Sequence, residues 1–285
     1  MSDTAEIVQH YGDGDIRDRL EQALARAGLG EGRLSSSDLA PLDQFHTRGL
    51  AATVELAQAA AIEAGAEIVD VGSGLGGASR YLAATFDCRV HGIDLSPAFV
   101  AAASYLAERA GLAGKVTYQS ADALAMPFAS GRFDLAWTQH VAMNIADRAC
   151  LYGEVHRVVR PGGRFAIYDV VAGNAGPLHF PVPWSRGPET SFLVAPDAMR
   201  RTLEQAGFKV IDWQDKSETG VAWFAEQQKA RAAAQGNAAQ ASNAARASLG
   251  LHLAMGPDFP LMAANLGRNL GERRVGLIQA VLERS

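Results

Sequence analysis

A short apolar run that breaks into glycines constrains the fold of this chain most strongly. Residues 67–77 read Glu-Ile-Val-Asp-Val-Gly-Ser-Gly-Leu-Gly-Gly, and helix-like sequence follows them. Glycine tolerates positive φ and lets a ligand approach the backbone without a Cβ in the way. A helix that starts at such a turn offers unpaired N–H groups to negatively polarised atoms. The segment therefore predicts either a nucleotide-binding turn or a turn whose glycines serve close helix–strand packing.

Short apolar runs alternate with longer amphipathic segments between residues 66 and 213. This alternation predicts a mostly parallel sheet that is covered by helices on both faces. Ser96-Pro97 is typical of a helix start, and Gly111 and Gly207 are typical of helix ends. We predict strands at residues 68–71, 88–93, 116–119, 133–138, 164–171 and 208–213, and helices at residues 76–85, 97–110, 148–159 and 196–206.

The segments outside this alternation complete the predicted organisation. Residues 274–283 have apolar side chains on both alternating faces; a helix is an alternative, but we predict a last buried strand that pairs with residues 208–213. The connection 172–192 is rich in proline and aromatics, which favours an ordered wall. The Ala-rich stretch 230–248 suggests an exposed helix or a mobile hairpin. The predicted units are a helical cover (1–65), an α/β core (66–213), a helical insertion (214–273) and the last strand (274–285).

Composition limits the class of protein. The 285 residues carry a formal net charge of −5, and a mildly acidic chain is a poor binder of nucleic acid. No apolar run is long enough to span a membrane, and the first fifteen residues hold no Lys or Arg and no apolar run. Cys88 and Cys150 fit small buried thiols in a reducing compartment. We expect a cytoplasmic protein without nucleic-acid partners or membrane insertion, and the sequence leaves homo-oligomer formation open.

Three carboxylates lie at or just after the ends of three predicted strands, at the sheet edge where such folds bind ligands. Asp94 can accept from two ribose hydroxyls, or it can cap the next helix. Asp122 can contact an adenine, or it can form a turn. Asp70 can meet the ligand, or it can order the glycine turn by accepting backbone N–H bonds. Pro161-Gly162-Gly163 predicts a tight turn before the fifth strand.

These residues resemble a known family. Asp70-x-Gly72-x-Gly74-x-Gly76, Asp94, Ala121-Asp122-Ala123 and Val159-Arg-Pro-Gly-Gly163 look like the motifs of class I S-adenosylmethionine-dependent methyltransferases. Leu42-Asp-Gln-Phe-His46 and Trp137-Thr-Gln-His140 are similar to the branch with sarcosine/dimethylglycine N-methyltransferases and tocopherol- or quinone-type C-methyltransferases. The resemblance implies a Rossmann-like fold, a doubly wound, mostly parallel seven-stranded sheet, and S-adenosyl-L-methionine as cofactor.

The resemblance also implies roles for individual residues. Gly72 and Gly74 are expected near the methionine part of the cofactor, and Asp94 near the ribose. Asp70 is also expected among the cofactor-binding residues. Gln139 is expected near the methionine amino group. Around the adenine we expect Leu95, Met126, Asp122 and the Ala123 amide, although a core role is an equal alternative for Leu95 and Met126.

The expected chemistry is in-line methyl transfer to a nitrogen, oxygen or carbon nucleophile of a small molecule. His140 is the first candidate for a general base, with a role in the pocket wall as the alternative. His46 is the second candidate, with a structural role or contact with the cofactor's carboxylate as the alternative. His179 is expected on the loop surface. Arg48 and Arg186 are candidates for binding a carboxylate, or they are solvated.

No metal site is predicted, because the histidines are scattered. A nicotinamide-dependent oxidoreductase and a non-catalytic cofactor-binding protein are the alternative functions. The acceptor pocket is expected to include Met143, Trp184, Phe180 and Trp223, with Tyr11, Phe45 and Phe224.

Overall fold

A seven-stranded sheet forms the centre of the protein, which a computed structural model describes over residues 16–236 and 249–285. The strands are β1 (Glu67–Val71), β2 (Arg89–Asp94), β3 (Val116–Ser120), β4 (Phe133–Gln139), β5 (Val159–Ala172), β6 (Phe208–Asp215) and β7 (Val275–Arg284). Their order across the sheet is β3-β2-β1-β4-β5-β7-β6. The first five strands are parallel, and β7 runs antiparallel to β5 and β6.

Helices cover both faces of this sheet. Within the described ranges they are α1 (Ile16–Arg26), α2 (Ser36–Asp43), α3 (Leu50–Ala60), α4 (Gly77–Phe86), α5 (Pro97–Arg109), α6 (Arg148–Val158), α7 (Pro196–Gln205), α8 (Ser217–Gly236), α9 (His252–Met255) and α10 (Phe259–Gly271). Two short 3₁₀ turns lie at Ala142–Asn144 and Pro188–Thr190.

Alternation along the strands divides the core into two layers, because successive side chains of a strand point to opposite faces. Ile68 packs in the layer that α3, α4 and α10 cover. Its neighbour Val69 packs in the layer that α6 and α7 cover. A third apolar cluster joins α1 and α2 to α5, and it fastens the N-terminal segment over the sheet edge.

The structure confirms the predicted fold class and the predicted strands. Ser96 caps α5 by accepting a hydrogen bond from the Phe99 amide, and Pro97 occupies the first turn. The C-terminal segment is a strand that pairs with β6, as its apolar pattern indicated. Leu277 packs in one helix-covered layer and Ile278 in the other, which explains why both faces of this strand are apolar.

One predicted turn belongs to a strand instead. The strand β5 begins at Val159, so Pro161-Gly162-Gly163 lies inside it rather than before it. Phe133 pairs with Val159, and Leu135 pairs with Arg164, so extra residues bulge out of β5 at this point. Gly162 accommodates the bulge with φ +71°.

Two predictions fall wholly or partly outside the described residues. Tyr11 lies before residue 16, and the Ala-rich stretch is described only as far as residue 236, where α8 ends. In the ranges that the structure describes, no helix combines the length and the apolar character that a membrane span needs.

Candidate functional site

A cavity of about 380 Å³ opens at the carboxyl ends of β1, β2, β3 and β4; we call it the strand-end cavity. Such a volume is typical of sites for small ligands. The structure thus brings together the turns that the sequence analysis placed at one sheet edge. The predicted residues that line it are His46, Asp70, Gly72, Gly74, Asp94, Leu95, Asp122, Ala123, Gln139 and His140.

The glycine turn serves both of the purposes that its sequence allowed. Gly74 has φ +51°, and a Cβ there would meet no atom within 4 Å, so this position borders open space. Gly76 has φ +76°, and a Cβ there would lie 2.2 Å from the hydroxyl oxygen of Tyr118. Gly76 is therefore required for packing, whereas Gly74 leaves room for a ligand.

Asp94 anchors the glycine turn at the end of β2. One of its carboxylate oxygens accepts from the Gly74 amide at 2.9 Å, and the other accepts from the Ser96 amide at 2.9 Å. Burial raises the pKa of this carboxyl, and the two amide donors lower it. Because each carboxylate oxygen has a second lone pair, Asp94 can still accept from a vicinal diol.

Asp70 takes a different partner from the one that the sequence suggested. Its carboxylate accepts from the Ser79 hydroxyl in α4 at 2.5 Å, and the loop amide of Gly74 goes to Asp94 instead. Burial raises the pKa of Asp70 to about 7, against the lowering effect of the Ser79 hydroxyl. Asp70 therefore lines the cavity as a carboxyl that titrates near neutral pH.

The turn after β3 forms the next part of the wall. Asp122 accepts from the Leu124 amide at 2.8 Å, which makes it a turn former that also lines the cavity. Ala123 and Leu95 lie beside it on the wall. Met126 does not line the cavity; it is buried in the core layer under α6, so the core alternative holds for this residue.

The charge of the strand-end cavity is one-sided. No lysine or arginine is among the described residues that line it, whereas five aspartates are: Asp43, Asp70, Asp94, Asp122 and Asp147. Asp43 is neutralised by an ion pair with Arg80. A wall of this kind favours a ligand with positive charge, and it disfavours the pyrophosphate of a dinucleotide, which needs cationic or N–H donors.

Two polar atoms at the end of β4 are buried without a hydrogen-bond partner among the described residues. They are Nε2 of Gln139 and Nε2 of His140. A buried polar atom without a partner costs free energy, so such atoms mark places where a ligand can supply the missing partner.

Packing fixes the ring of His140. The residue has φ +55°, and its amide donates to the Tyr168 carbonyl at 2.8 Å. The imidazole stacks on the Tyr168 ring at 5.3 Å between centroids and meets the edge of His46 at 5.9 Å. Burial, followed by the neighbouring His46, lowers the pKa of His140 well below 6.5, so the ring is neutral at physiological pH.

His46 is more fully engaged than His140. Its Nε2 lies 3.0 Å from the Gln44 side-chain oxygen and 3.1 Å from the Thr53 hydroxyl, and its Nδ1 lies 3.3 Å from the Thr47 carbonyl. Burial lowers the pKa of His46 to about 4. The two imidazoles therefore form a neutral pair.

A second cavity of about 1010 Å³ adjoins the first; we call it the helical cavity, because α2, α4, α8, α9 and α10 contribute to its wall. Phe45, His46 and His140 line both cavities, as does Asp43. The helical cavity is largely apolar; its wall includes Leu34, Leu39, Leu50, Trp223, Phe224, Phe259 and Leu266.

The structure corrects part of the predicted acceptor pocket. Met143 and Trp184 are buried in the core, and Phe180 packs against that core; none of the three lines either cavity. The Trp184 indole donates to the Ser191 hydroxyl, which satisfies its polar atom away from a ligand. Trp223, Phe45 and Phe224 do line the helical cavity.

The remaining candidates have structural partners. Arg48 pairs with Glu55, Arg186 pairs with Asp258 at 3.0 Å, and His179 lies 2.8 Å from Glu272. Sequence reasoning missed Asn144, Asp147 and Phe192, which also line the strand-end cavity. The polar tail after β4 indicated a wall near Asn144, but nothing local in the sequence places Phe192 there. Within residues 16–236 and 249–285, no group of His, Cys, Asp and Glu side chains is arranged to hold a metal ion.

Comparison with known proteins agrees with this geometry. A family model described as a methyltransferase domain matches residues 69–167. Tocopherol O-methyltransferase of Arabidopsis thaliana is 46% identical over 101 residues, which are 35% of this chain and 29% of that protein. O-methyltransferase cnsE of Penicillium expansum is 36% identical over 156 residues, which are 54% of this chain and 56% of that protein. The chain thus matches about a quarter to just over half of the length of these relatives.

A solved structure shows the same fold. Geranyl diphosphate C-methyltransferase of Streptomyces coelicolor, in complex with Mg²⁺, geranyl-S-thiolodiphosphate and S-adenosyl-L-homocysteine, has a TM-score of 0.68. It is 16% identical, and the match covers 100% of this chain and 99% of that one.

The residues of the strand-end cavity also suit S-adenosylmethionine, independently of these comparisons. It offers open space at Gly74, a carboxylate at Asp94, an acidic wall for a sulfonium, and unpartnered polar atoms on Gln139 and His140. The domain match agrees with the resemblance that the motifs indicated: residues 69–167 of this chain match a methyltransferase domain.

Proposed function

We propose that this chain transfers the methyl group of S-adenosylmethionine to an uncharged, mainly apolar small molecule held in the helical cavity. The observation that carries the proposal is that the strand-end and helical cavities meet at Phe45, His46 and His140. Asp43 lines both cavities as well, and we infer that ligands in the two cavities come close together at these shared residues.

The charges around the helical cavity favour a neutral acceptor. Among the described residues that line it, the arginines are Arg33 and Arg80, and the carboxylate is Asp43. Arg80 and Asp43 pair with each other, and the exposed Arg33 donates to the Ala110 carbonyl. An acceptor with a phosphate or carboxylate would find few free counter-charges here, whereas apolar surface gains roughly 25 cal/mol per Å² on burial.

The cofactor supplies a methyl group that its positively charged sulfur already activates. What the chain contributes is alignment and exclusion of water, and alignment can lower the barrier by roughly 7–11 kcal/mol. Asp94, the turn at Gly74 and the Asp122 turn would hold the cofactor, and the apolar helical wall would hold the acceptor.

We assign His140 the role of contacting the nucleophilic group of the acceptor. Its neutral Nε2 can accept a hydrogen bond from a hydroxyl or amine and so orient a lone pair. The lowered pKa makes this imidazole a weak base before reaction. The proton becomes acidic as its parent atom gains a methyl group, and His140 is then placed to take it. Since both ring nitrogens of His46 have protein partners, we assign His46 to the wall that supports His140.

A radiolabelled methyl-transfer assay tests the proposal. We expect transfer to prenylated phenols or similar neutral acceptors, and far less to phosphorylated amines. His140→Gln should lower turnover at least tenfold while the affinity for S-adenosylhomocysteine changes less than threefold. Unchanged turnover would leave His140 as wall only.

Two alternative functions give distinct outcomes. Binding of NAD instead of S-adenosylhomocysteine would support an oxidoreductase. Tight cofactor binding without transfer to any amine, phenol or isoprenoid acceptor would support a non-catalytic binding protein.

We also propose a cytoplasmic location, on the strength of the two free cysteines, and a small molecule rather than nucleic acid as partner. A homo-oligomer is compatible with this function.

A further inference from the structure

The side-chain amide of Gln139 has only one orientation that its neighbours allow. Its oxygen accepts from the indole N–H of Trp137 at 3.0 Å, and the Thr53 hydroxyl lies 3.3 Å from the same oxygen. The indole nitrogen can only donate, so an amide nitrogen cannot take the place of the oxygen there. Trp137 is itself fully buried, which fixes the donor in place. The Gln139 oxygen is thus paired with Trp137, and its NH₂ group is left over.

This NH₂ group is a buried donor on the wall of the strand-end cavity, and it has no partner among the described residues. A donor complements a carboxylate and cannot accept from an ammonium group. The orientation therefore argues against the role expected from the family resemblance, in which Gln139 faces the amino group of the cofactor.

The other possible partners of a carboxylate on this wall are uncharged, because no lysine or arginine among the described residues lines the strand-end cavity. Arg80 in α4 lies outside that wall; it donates to Asp43 and to the Leu75 carbonyl, and its Nε has no partner among the described residues. The amides of Gly72 and Ser73 already donate to the Ile93 carbonyl. The Ser73 hydroxyl is a further unpartnered donor on the wall, and the first turn of α4, which also lines it, has no side-chain cap.

We propose that the amide NH₂ of Gln139, oriented by Trp137, binds the carboxylate of the cofactor's methionine part. The inference rests on the proposed use of S-adenosylmethionine and assigns a binding role to one residue. A neutral amide has an advantage over a lysine or arginine at this place, because it holds the carboxylate without repelling the nearby sulfonium.

Isothermal titration with two ligands tests the role without any measurement of activity. S-adenosylhomocysteine carries the carboxylate, and 5′-methylthioadenosine lacks the whole amino-acid part. Gln139→Glu keeps an oxygen for Trp137 and Thr53 but replaces the donor with an acceptor. At pH 8 we expect this variant to bind S-adenosylhomocysteine at least tenfold more weakly than the wild type and methylthioadenosine less than twofold more weakly.

Gln139→Leu removes the donor without adding charge. It should weaken the binding of S-adenosylhomocysteine about fivefold and the binding of methylthioadenosine less than twofold. It also serves as the second variant if Gln139→Glu does not fold, which thermal unfolding will show. Ser73→Ala is the matched comparison, and we expect a smaller loss from it.

Four outcomes would overturn the inference. Tighter binding of S-adenosylhomocysteine by Gln139→Glu would place the amide beside the ammonium group. Equal losses for both ligands in both variants would reduce Gln139 to a structural support. A tenfold loss in Ser73→Ala with none in the Gln139 variants would move the carboxylate to Ser73. If the wild-type protein binds neither ligand, the cofactor assignment fails as well, whereas wild-type binding with unaffected variants overturns this inference alone.

Discussion

Asp94 performs two tasks with one carboxylate, since it anchors the glycine turn and offers its remaining lone pairs to the cavity. Asp94→Ala removes both, so we expect the affinity for S-adenosylhomocysteine to fall more than tenfold, or about 1.4 kcal/mol. Titration calorimetry measures this, with Asp197→Ala, an exposed aspartate at the start of α7, as the matched control. Wild-type affinity in Asp94→Ala would mean that the ribose is bound elsewhere.

Asp70 makes cofactor affinity depend on pH. Its pKa is raised to about 7 by burial, so the carboxyl is mostly protonated at pH 6 and charged at pH 8. Burial also raises the pKa of Asp94. Negative charge in the cavity therefore grows as the pH rises through 7, and a cationic ligand should bind more tightly there. The same raised pKa favours the protonated fold, so this group's contribution to stability decreases as the pH rises from about 4 to 7.

We expect S-adenosylmethionine, which has a net positive charge, to bind several-fold more tightly at pH 8 than at pH 6. S-adenosylhomocysteine, which has no net charge, should change less. Asp70→Asn keeps a partner for the Ser79 hydroxyl but cannot ionise, and it should flatten the profile. An equally steep profile in Asp70→Asn would assign the pH dependence to another group.

At the scale of elements, the turn between β1 and α4 separates packing from ligand contact within three residues. Gly76→Ala would force a Cβ onto the Tyr118 ring at a positive φ, and overpacking with backbone strain costs about 2–4 kcal/mol. Gly74→Ala meets no atom within 4 Å and should lose only about 1 kcal/mol for its φ of +51°. Urea unfolding compares the two variants.

The binding measurement completes this comparison. Gly74→Ala should clearly weaken the binding of S-adenosylhomocysteine although it costs little stability. The reason is that the added methyl group projects into open space where a ligand fits. If Gly74→Ala binds as the wild type does and Gly76→Ala unfolds no more easily, the division of roles within the turn is wrong.

Element identity was well predicted because it depends on local patterns. The alternation around residues 68–71, the Ser96-Pro97 cap and the two apolar faces of residues 274–283 each act through neighbours in the sequence. The bulge at Gly162 was missed as part of β5, because a turn signal does not reveal that the backbone rejoins a partner strand. The β4 partner that decides this is more than twenty residues away in sequence.

At the scale of the whole molecule, the helical cavity depends on packing between distant segments. Trp223 on α8 and Phe45 after α2 face one space only because α8 and α10 fold back over the N-terminal cover. The residue types around Met143, Trp184 and Phe180 suggested a pocket equally well, yet these side chains fill the core. Composition indicates an aromatic wall, but tertiary packing decides which aromatics form it.

A variant that fills the helical cavity tests whether its volume belongs to the acceptor. Ala263 on α10 lines the helical cavity but not the strand-end cavity. Ala263→Trp should therefore raise the KM for the acceptor more than tenfold, or block transfer, because the indole occupies space that the acceptor needs. Cofactor affinity should change less than twofold, since the strand-end cavity is untouched. Ala101→Trp, at an exposed position of α5, controls for the added aromatic surface. Loss of cofactor binding in Ala263→Trp would mean that the two cavities act as one site, and unchanged kinetics would mean that the acceptor binds outside the helical cavity.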